Sequence, residues 1–377
     1  MLGRIVFFGT YVLSDAYPVN QVLFDGMRAA SANVDTCRVD LWRGFLHRAL
    51  GGSWRRWLGF VGRAVVCYGR LVIRYLMGKD HRIVVVGYPG YLDIILARLL
   101  NLFSRRLLVL VSFISLYDTA VMDRQRIAKG SRRARALFAL DRLAFRCADW
   151  VLVDTHALGD YYAELFGLPR SKFRKSLVGN VFDRFTAADL ERETNDCFNV
   201  LFFGTYVPLH GAEFIVEAAR ILRADSVHFT MIGTGQDFAA VRERAADLEH
   251  VHFDQAWHST GELAEKMRAA DVCLGIFGAT AKAARVIPYK VFAALALGRP
   301  VITRDSPAVR ELLVDGESAL LCPAGDGAEL AAAIRRLRTD SQLRARLAAG
   351  GRATYLEKGS SRAIGRDFLE QLEGAFG

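Results

Sequence analysis

Short apolar runs alternate with longer amphipathic stretches along the 377 residues, a pattern that predicts a parallel α/β chain. Residues 4–9, 34–39, 83–87, 107–111, 150–154 and 175–178 read as strands of a first half. Residues 199–204, 227–232, 251–253, 272–275, 300–303 and 319–322 read as strands of a second. Such short, near-continuous apolar runs belong to strands covered by helices on both faces. One echo divides the chain. The hexapeptide FFGTYV stands at 7–12 and again at 202–207, each time ending an apolar strand and leading toward a helical pattern. A first strand, a glycine-bearing turn and a helix open a Rossmann-like unit, so two such openings predict two domains. The polar stretch 186–196 is the natural linker. Domains are therefore expected over 1–185 and 197–358, with a helix over 359–377 returning to the first.

Composition adds little to this picture until charge is considered. With 52% hydrophobic residues the chain can bury two cores. The start MLGRIVFFGTYV is a short apolar run ending in Gly-Thr, which reads as a first strand rather than a signal peptide. No apolar run reaches the length of a membrane span. Cys37, Cys67, Cys147, Cys197, Cys273 and Cys322 lie far apart with no CxxC pair, which fits neither a zinc site nor a disulfide scaffold. Reduced, mostly buried thiols and a cytoplasmic location are the expectation.

The formal net charge of +10 is unevenly spread. Residues 41–79 hold no Asp or Glu, and Arg56, Arg63, Arg70 and Arg74 fall on one face of a helix. Trp57, Leu58, Phe60, Val61, Val65, Leu71, Val72 and Leu76 fill much of the rest. Two readings fit: a packed helix with a solvated arginine face, or a peripheral segment lying on an anionic bilayer. A second basic helix is expected over 124–146. No zinc-finger spacing or RNA-recognition signature accompanies the charge, so a nucleic-acid partner is not expected.

Candidate chemistry lies at the strand ends. In the second half, Gly204, Thr205, His210 and Gly211 form a turn leading into a helix over 212–222, and free N–H groups at a helix start attract anions. Gly233 and Gly235 follow another strand, a weak signal alone. Pro288 before an Ala/Leu-rich run marks a helix start, which places Lys282, Arg285 and Lys290 at or near it. Three cations with a helix dipole suit a diphosphate. In the first half, Gly9, Thr10 and Tyr11, then Tyr88 and Asp93, then Asp118 and Arg124 follow strands where α/β clefts form. His250 and His252 share a strand face but lack further ligands, so they read as structural, and no metal site is expected.

The stretches GTYVPLHGAEFIVEAARIL, MIGTGQD, LGIFGATAKAARVIPYKVFAALALGRPVIT and RELLVDGESALLCPAGDGAELAAAI resemble the nucleotide-binding domain of the family 4, or group 1, glycosyltransferases. The resemblance covers about 198–350 and the first half in outline. It implies the GT-B fold, two Rossmann-like domains facing each other across a cleft. It implies a retaining, metal-independent transferase that moves a sugar from a nucleoside-diphosphate sugar to an acceptor hydroxyl and needs no cofactor. Lys290 and Arg285 would contact the diphosphate, the 204–211 loop would lie alongside, and the 233–235 turn would sit near the base. Asp118 would handle the sugar or acceptor, and Gly9, Thr10, Tyr11, Tyr88, Asp93 and Arg124 would line the acceptor side. Joined to the arginine stripe, the resemblance suggests a lipid-linked acceptor in surface-polysaccharide assembly at the cytoplasmic membrane face. Many members carry two glutamates eight residues apart; in the frame of KVFAALALG those positions are Arg285 and Ala293. A non-catalytic homologue serving as a binding subunit is the alternative that this departure leaves open.

Overall fold

Each half folds as a parallel sheet of six strands, and each sheet reverses its build direction at one point. The computed structural model describes residues 3–13, 18–30, 32–42, 54–78, 80–182 and 197–376, without the side chains of 54–58. The linker expected over 186–196 lies outside the described residues, as do Arg43, Arg48, Lys79 and the side chain of Arg56.

The first sheet holds β1 (Ile5–Gly9), β2 (Val34–Arg38), β3 (Ile83–Val86), β4 (Leu107–Val111), β5 (Trp150–Val153) and β6 (Phe173–Lys175), in the order β2-β1-β3-β4-β5-β6. Phe7 of β1 lies between Thr36 of β2 and Val85 of β3, all running the same way. All four residues of β3 are fully buried, each worth about 1.5–3 kcal/mol of burial for an aliphatic side chain. The second sheet holds β7 (Phe198–Phe203), β8 (Val227–Ile232), β9 (Val251–Asp254), β10 (Val272–Leu274), β11 (Val301–Arg304) and β12 (Leu320–Cys322), in the order β12-β11-β10-β7-β8-β9. The chain turns back between β1 and β3 in one sheet and between β7 and β10 in the other. At such a point the loops leaving adjacent strands diverge to opposite faces and open a crevice at the strands' C-terminal ends.

Two compact units result. One takes Met1–Val153, Gly159–Ser176 and Ile364–Gly377; the other takes Asp154–Leu158 and Leu177–Ala363. The chain's last helix, Ser361–Phe376, thus ends in the first unit, where Gly365 lies against the backbone of Gly26 and Gln371 donates to the Lys175 carbonyl at 2.9 Å.

Two expected elements differ in the structure. The strand expected over 175–178 is instead β6, ending at Lys175, because Leu177 and Val178 pack against the second unit's core rather than beside β5. The helix expected over 124–146 starts only at Arg132, where Ser131 caps it by accepting from the Ala134 N–H at 3.2 Å. Before it, residues Asp118–Asp123 form one wide turn of helix, and Gly130 at φ 83° breaks the path between them.

The arginine stripe lies on a 23-residue helix, Trp54–Leu76. Cys67, Leu71 and Tyr75 are buried on its inner face. A second apolar face points outward: Val61, Val65, Val66, Ile73 and Leu76 are 52–68% exposed. At about 100° per residue these five span an arc of roughly 140°, and the arginines run along its border with the buried face.

Candidate active site

In the second unit the chain leaves β7 at Gly204, which takes φ 145°. The adjoining turn after β8 comes so close that a Cβ on Gly233 would sit 2.1 Å from the Gly204 carbonyl oxygen. Glycine is the residue for both places, because the backbone conformations and the spacing exclude a side chain. The Gly204 N–H donates to Ile232 O at 3.0 Å, and the Tyr206 N–H to Thr234 O at 3.1 Å, fastening the two turns together. Pro208–His210 then make one 3₁₀ turn, and Gly211 at φ 62° opens the helix Ala212–Ile221. The His210 carbonyl accepts from the Phe277 N–H at 3.0 Å, which ties this loop to the one after β10.

Lys290 comes from that second loop. Pro288 caps the helix Tyr289–Ala296, so Lys290 stands in its first turn, as the proline signal predicts. Its side chain is 4% exposed, and its Nζ lies 3.9 Å from the centroid of the Phe202 ring. A Cβ on Gly204 would meet that Nζ at 2.8 Å and the His210 Cε1 at 3.1 Å. The ammonium has no hydrogen-bond partner among the described residues. Burial without a counter-charge drives its pKa well below the usual lysine value. Gly204, His210 and Lys290 therefore meet at the second sheet's reversal point, with Gly211, Gly233 and Gly235 bordering them.

The other two expected cations are arranged differently. Lys282 is buried and Arg285 half-buried, and each residue already makes interactions of its own. The main chain at 285–287 is held on the Asp154–Leu158 segment. Thr155 donates its hydroxyl to the Arg285 carbonyl, and Ile287 N–H reaches Asp154 Oδ2 at 3.4 Å. Burial raises the Asp154 carboxyl to about 7 despite that bond. Ala293, in the frame of the family's second glutamate, is wholly buried inside its helix. Thr205 is exposed beside the turn.

Sequence reasoning missed Arg304. It ends β11, is 8% exposed, and donates to the carbonyls of Gly278 and Thr280, holding the loop after β10 in shape. The one available signal was an arginine closing the apolar run VITR.

The first unit's reversal point carries a different cluster. A Cβ on Gly9, at φ 128°, would lie 2.4 Å from Asp93 Oδ2. That carboxylate accepts from the Thr10 N–H at 2.6 Å, from the Thr10 hydroxyl at 3.0 Å and from the Tyr68 hydroxyl at 2.8 Å. The Trp42 indole donates to Thr10 Oγ1 at 3.2 Å. Burial still raises the Asp93 pKa, outweighing those donors. Tyr11 is 1% exposed and its hydroxyl has no hydrogen-bond partner among the described residues; Arg38 lies over its ring and donates Nε to its carbonyl at 2.9 Å. Tyr88 is held at both main-chain atoms by Asn20, at 2.7 and 2.8 Å.

Asp118 is fully buried, accepting from the Tyr161 hydroxyl at 3.1 Å, while its N–H donates to Ser115 Oγ at 2.9 Å. Ser115 in turn donates to Asp141, whose carboxyl burial raises to about 6. These bonds fix the loop after β4, a supporting position for Asp118 rather than one open to a sugar. Arg124 follows the same turn, half-buried, its Nε without a hydrogen-bond partner among the described residues. His250 bonds to the Ala219 carbonyl at 2.9 Å. Among the described residues no His, Cys, Asp or Glu group is arranged to hold a metal ion, and no helix is long and apolar enough to cross a membrane. All six cysteines are free, four of them buried.

Comparison with known proteins agrees with this architecture. The family described as "Glycosyl transferases group 1" matches residues 197–340. A phosphatidyl-myo-inositol mannosyltransferase of Mycobacterium leprae is 35% identical over 157 residues, 40% of this chain and 40% of that protein. The chain thus matches well under half the length of that relative. Among solved structures, a sucrose-phosphate synthase from Thermosynechococcus elongatus superposes with a TM-score of 0.70 at 17% identity, over 99% of both chains. The Anabaena protein Alr3699/HepE in complex with UDP-glucose does so at 0.66 and 14%, over 99% of this chain and all of that one. At such identities the likeness speaks for the fold: two α/β domains of the GT-B kind. Residues 197–340, the segment that is similar to the group 1 glycosyl transferases, form the sheet that carries Gly204, His210 and Lys290.

Proposed function

We propose that this protein is a glycosyltransferase that moves a sugar from a nucleoside-diphosphate sugar to an acceptor hydroxyl. One observation carries the reading: the buried Lys290 ammonium, with no hydrogen-bond partner among the described residues, beside Gly204 and His210 at the reversal point of the second sheet. An unpaired buried cation is costly unless an anion completes it. A diphosphate supplies that anion, and Gly204, lacking a side chain, lets the ammonium come up against the turn.

Chemically, the bond from the anomeric carbon to the diphosphate oxygen breaks as the acceptor oxygen bonds to that carbon. Negative charge grows on the leaving diphosphate. A fixed cation in a water-poor site and the first turn of the Tyr289–Ala296 helix both stabilise that charge more in the transition state than in the bound donor. Arg285 and Lys282 belong to the same loop and would complete the diphosphate contacts after repositioning. The Gly233–Gly235 turn would border the nucleoside. Retention of anomeric configuration, metal independence and the absence of a cofactor are part of this reading.

The acceptor in this reading is a lipid-linked glycan of surface-polysaccharide assembly at the cytoplasmic membrane face. Its support is the Trp54–Leu76 helix, whose outward apolar arc and arginine border match a segment lying on an anionic bilayer. Arg63, Arg70 and Arg74, with Arg56 in the same sequence register, would meet the head groups. Gly9, Thr10, Tyr11, Tyr88 and Arg124 would serve the acceptor, with Asp93 and Asp118 as internal supports. One observation favours the alternative of a non-catalytic binding subunit: Arg285 and the buried Ala293 stand where the family often has glutamates.

Thermal unfolding against UDP, GDP, CDP, dTDP and NAD tests the reading. One nucleoside diphosphate at about 100 times its dissociation constant should add about 2.7 kcal/mol of stability. Lys290→Ala should abolish that gain. Stabilisation by NAD alone, or by none of the five, contradicts the donor site. Nucleotide binding with no transfer to any lipid extract or soluble glycan favours the binding subunit.

A further inference from the structure

Beside the first unit's reversal point lies a pocket of about 770 Å³ to which no role has yet been given. Four guanidinium groups line it: Arg38 from the end of β2, and Arg63, Arg70 and Arg74 from the Trp54–Leu76 helix. Asp40 is the single carboxylate in the lining, so four positive charges face one negative. Three of these arginines bond to main-chain carbonyls. Arg38 Nε donates to Tyr11 O at 2.9 Å, Arg63 to Asp40 O at 3.0 Å and Arg74 to Arg38 O at 2.6 Å. Carbonyls fix a guanidinium in place but do not neutralise it. Arg38 and Asp40 approach only to 3.9 Å, with side chains 30% and 46% exposed, a weak pair. Arg70 has no hydrogen-bond or ion-pair partner among the described residues.

Four like charges around one cavity repel each other until an anion enters. Guanidinium groups match the oxygens of a phosphate in pairs, which a single ammonium does not. The same helix carries its exposed apolar arc, whose Val66 and Ile73 border the arginines. A helix seated at a bilayer interface by that arc holds its arginines at head-group depth. Tyr11, from the loop after β1, lies in the pocket wall. The cavity thus opens between a surface suited to acyl chains and a loop assigned above to the acceptor.

We propose that this pocket binds the phosphate ester of an amphiphilic acceptor and so holds the acceptor's glycan end in register at the loop after β1. The proposal rests on the lipid-linked acceptor reading given above and adds to it a specific phosphate site in which Arg38, which is not on the membrane-facing helix, takes part. Phosphate on a soluble glycan would present the same chemistry without the acyl chains, so the two sources must be told apart.

Calorimetric titration of the full-length protein with dihexanoyl phosphatidic acid below its micellar concentration, beside glycerol 3-phosphate, reads the site. Flotation with phosphatidylglycerol-containing vesicles reads the membrane surface separately. One saturable equivalent of the short-chain lipid is expected, weakened at least tenfold by Arg38→Gln and by Arg70→Gln. Arg70→Gln removes no hydrogen bond or ion pair among the described residues and keeps the test valid should Arg38→Gln fold poorly. The Arg38→Gln protein should still float with vesicles. Lipid phosphate binding that both variants leave intact overturns the pocket while the membrane reading stands. Failure of the wild-type protein to float overturns the membrane reading instead. Glycerol 3-phosphate binding as tightly as the lipid, and lost in Arg70→Gln, overturns the amphiphile and leaves a soluble phosphorylated acceptor.

Discussion

The two copies of FFGTYV carry the same six side chains to the same kind of place, the turn after the first strand of a parallel sheet, and meet opposite charges there. Against Gly9 stands the Asp93 carboxylate; against Gly204 stands the Lys290 ammonium. The first copy is satisfied from within, since Thr10 and Tyr68 supply donors to Asp93. The second is left open, since Lys290 has an aromatic ring beneath it and no acceptor. The turn itself therefore carries no function. Function enters through what a distant part of the chain delivers to it: in one case a residue 84 positions on from Gly9, in the other a residue 86 positions on from Gly204. A group already bonded stabilises the fold; a group left unpaired costs stability and waits for a ligand.

The largest effect should come from replacing the open charge. Lys290→Met keeps the volume and removes the cation. Loss of one charge-stabilising group at a leaving anion costs about 100- to 1,000-fold in turnover. The same change should raise the melting temperature of the unliganded protein, because an unpaired buried charge disappears. A variant that loses activity and also melts lower would mean that Lys290 is structural, and the contrast between the two turns would collapse.

The next effect should fall on the closed copy and have the opposite sign. Asp93→Ala strands the Thr10 N–H and the Tyr68 hydroxyl in a buried place, at about 1–3 kcal/mol for each unsatisfied group. Chemical denaturation should show that loss, with little change in nucleotide binding. Asp93→Asn, which keeps an acceptor, should cost less. If Asp93→Ala left stability intact but abolished transfer, Asp93 would be a working acid rather than an internal support.

How much of this was legible beforehand follows from which signals are local. The strand runs, the two openings and the helix start at Pro288 depend on neighbours within a few residues, and they were readable. The charge partners were not. Asp93 read as an acceptor-side residue because it follows a strand, and nothing in GYPGYLD shows that its carboxylate turns back to Thr10. The end of β6 was misplaced because Leu177 and Val178 are apolar for the sake of the second unit's core, and an apolar run does not say which core it serves. Arg38 passed unnoticed as a charge at a strand end, and Arg304 likewise, since their tasks depend on loops that the fold brings near. The arginine periodicity of the Trp54–Leu76 helix was visible, but its outward apolar face needed the exposures of Val61, Val65 and Ile73.

The smallest effect separates the two turns by their protons. Burial lowers the pKa of Lys290, so below the unfolded lysine value of about 10.4 the unfolded chain holds a proton that the folded protein tends to give up. Stability of the free protein should therefore rise with pH through the window that ends at that unfolded value. A bound diphosphate reverses the preference, because its negative charge favours the ammonium. Binding should then take up a proton, and affinity should strengthen as pH falls across the window between the free and bound pKa values. One proton limits the slope to tenfold in affinity, about 1.4 kcal/mol, per pH unit. Calorimetry in two buffers of unlike ionisation enthalpy measures the uptake directly. Lys290→Met should remove it, and Asp93→Asn should not. Uptake that persists in Lys290→Met would move the proton to another group, with Asp154, raised to about 7 beside the Ile287 N–H, the next to replace.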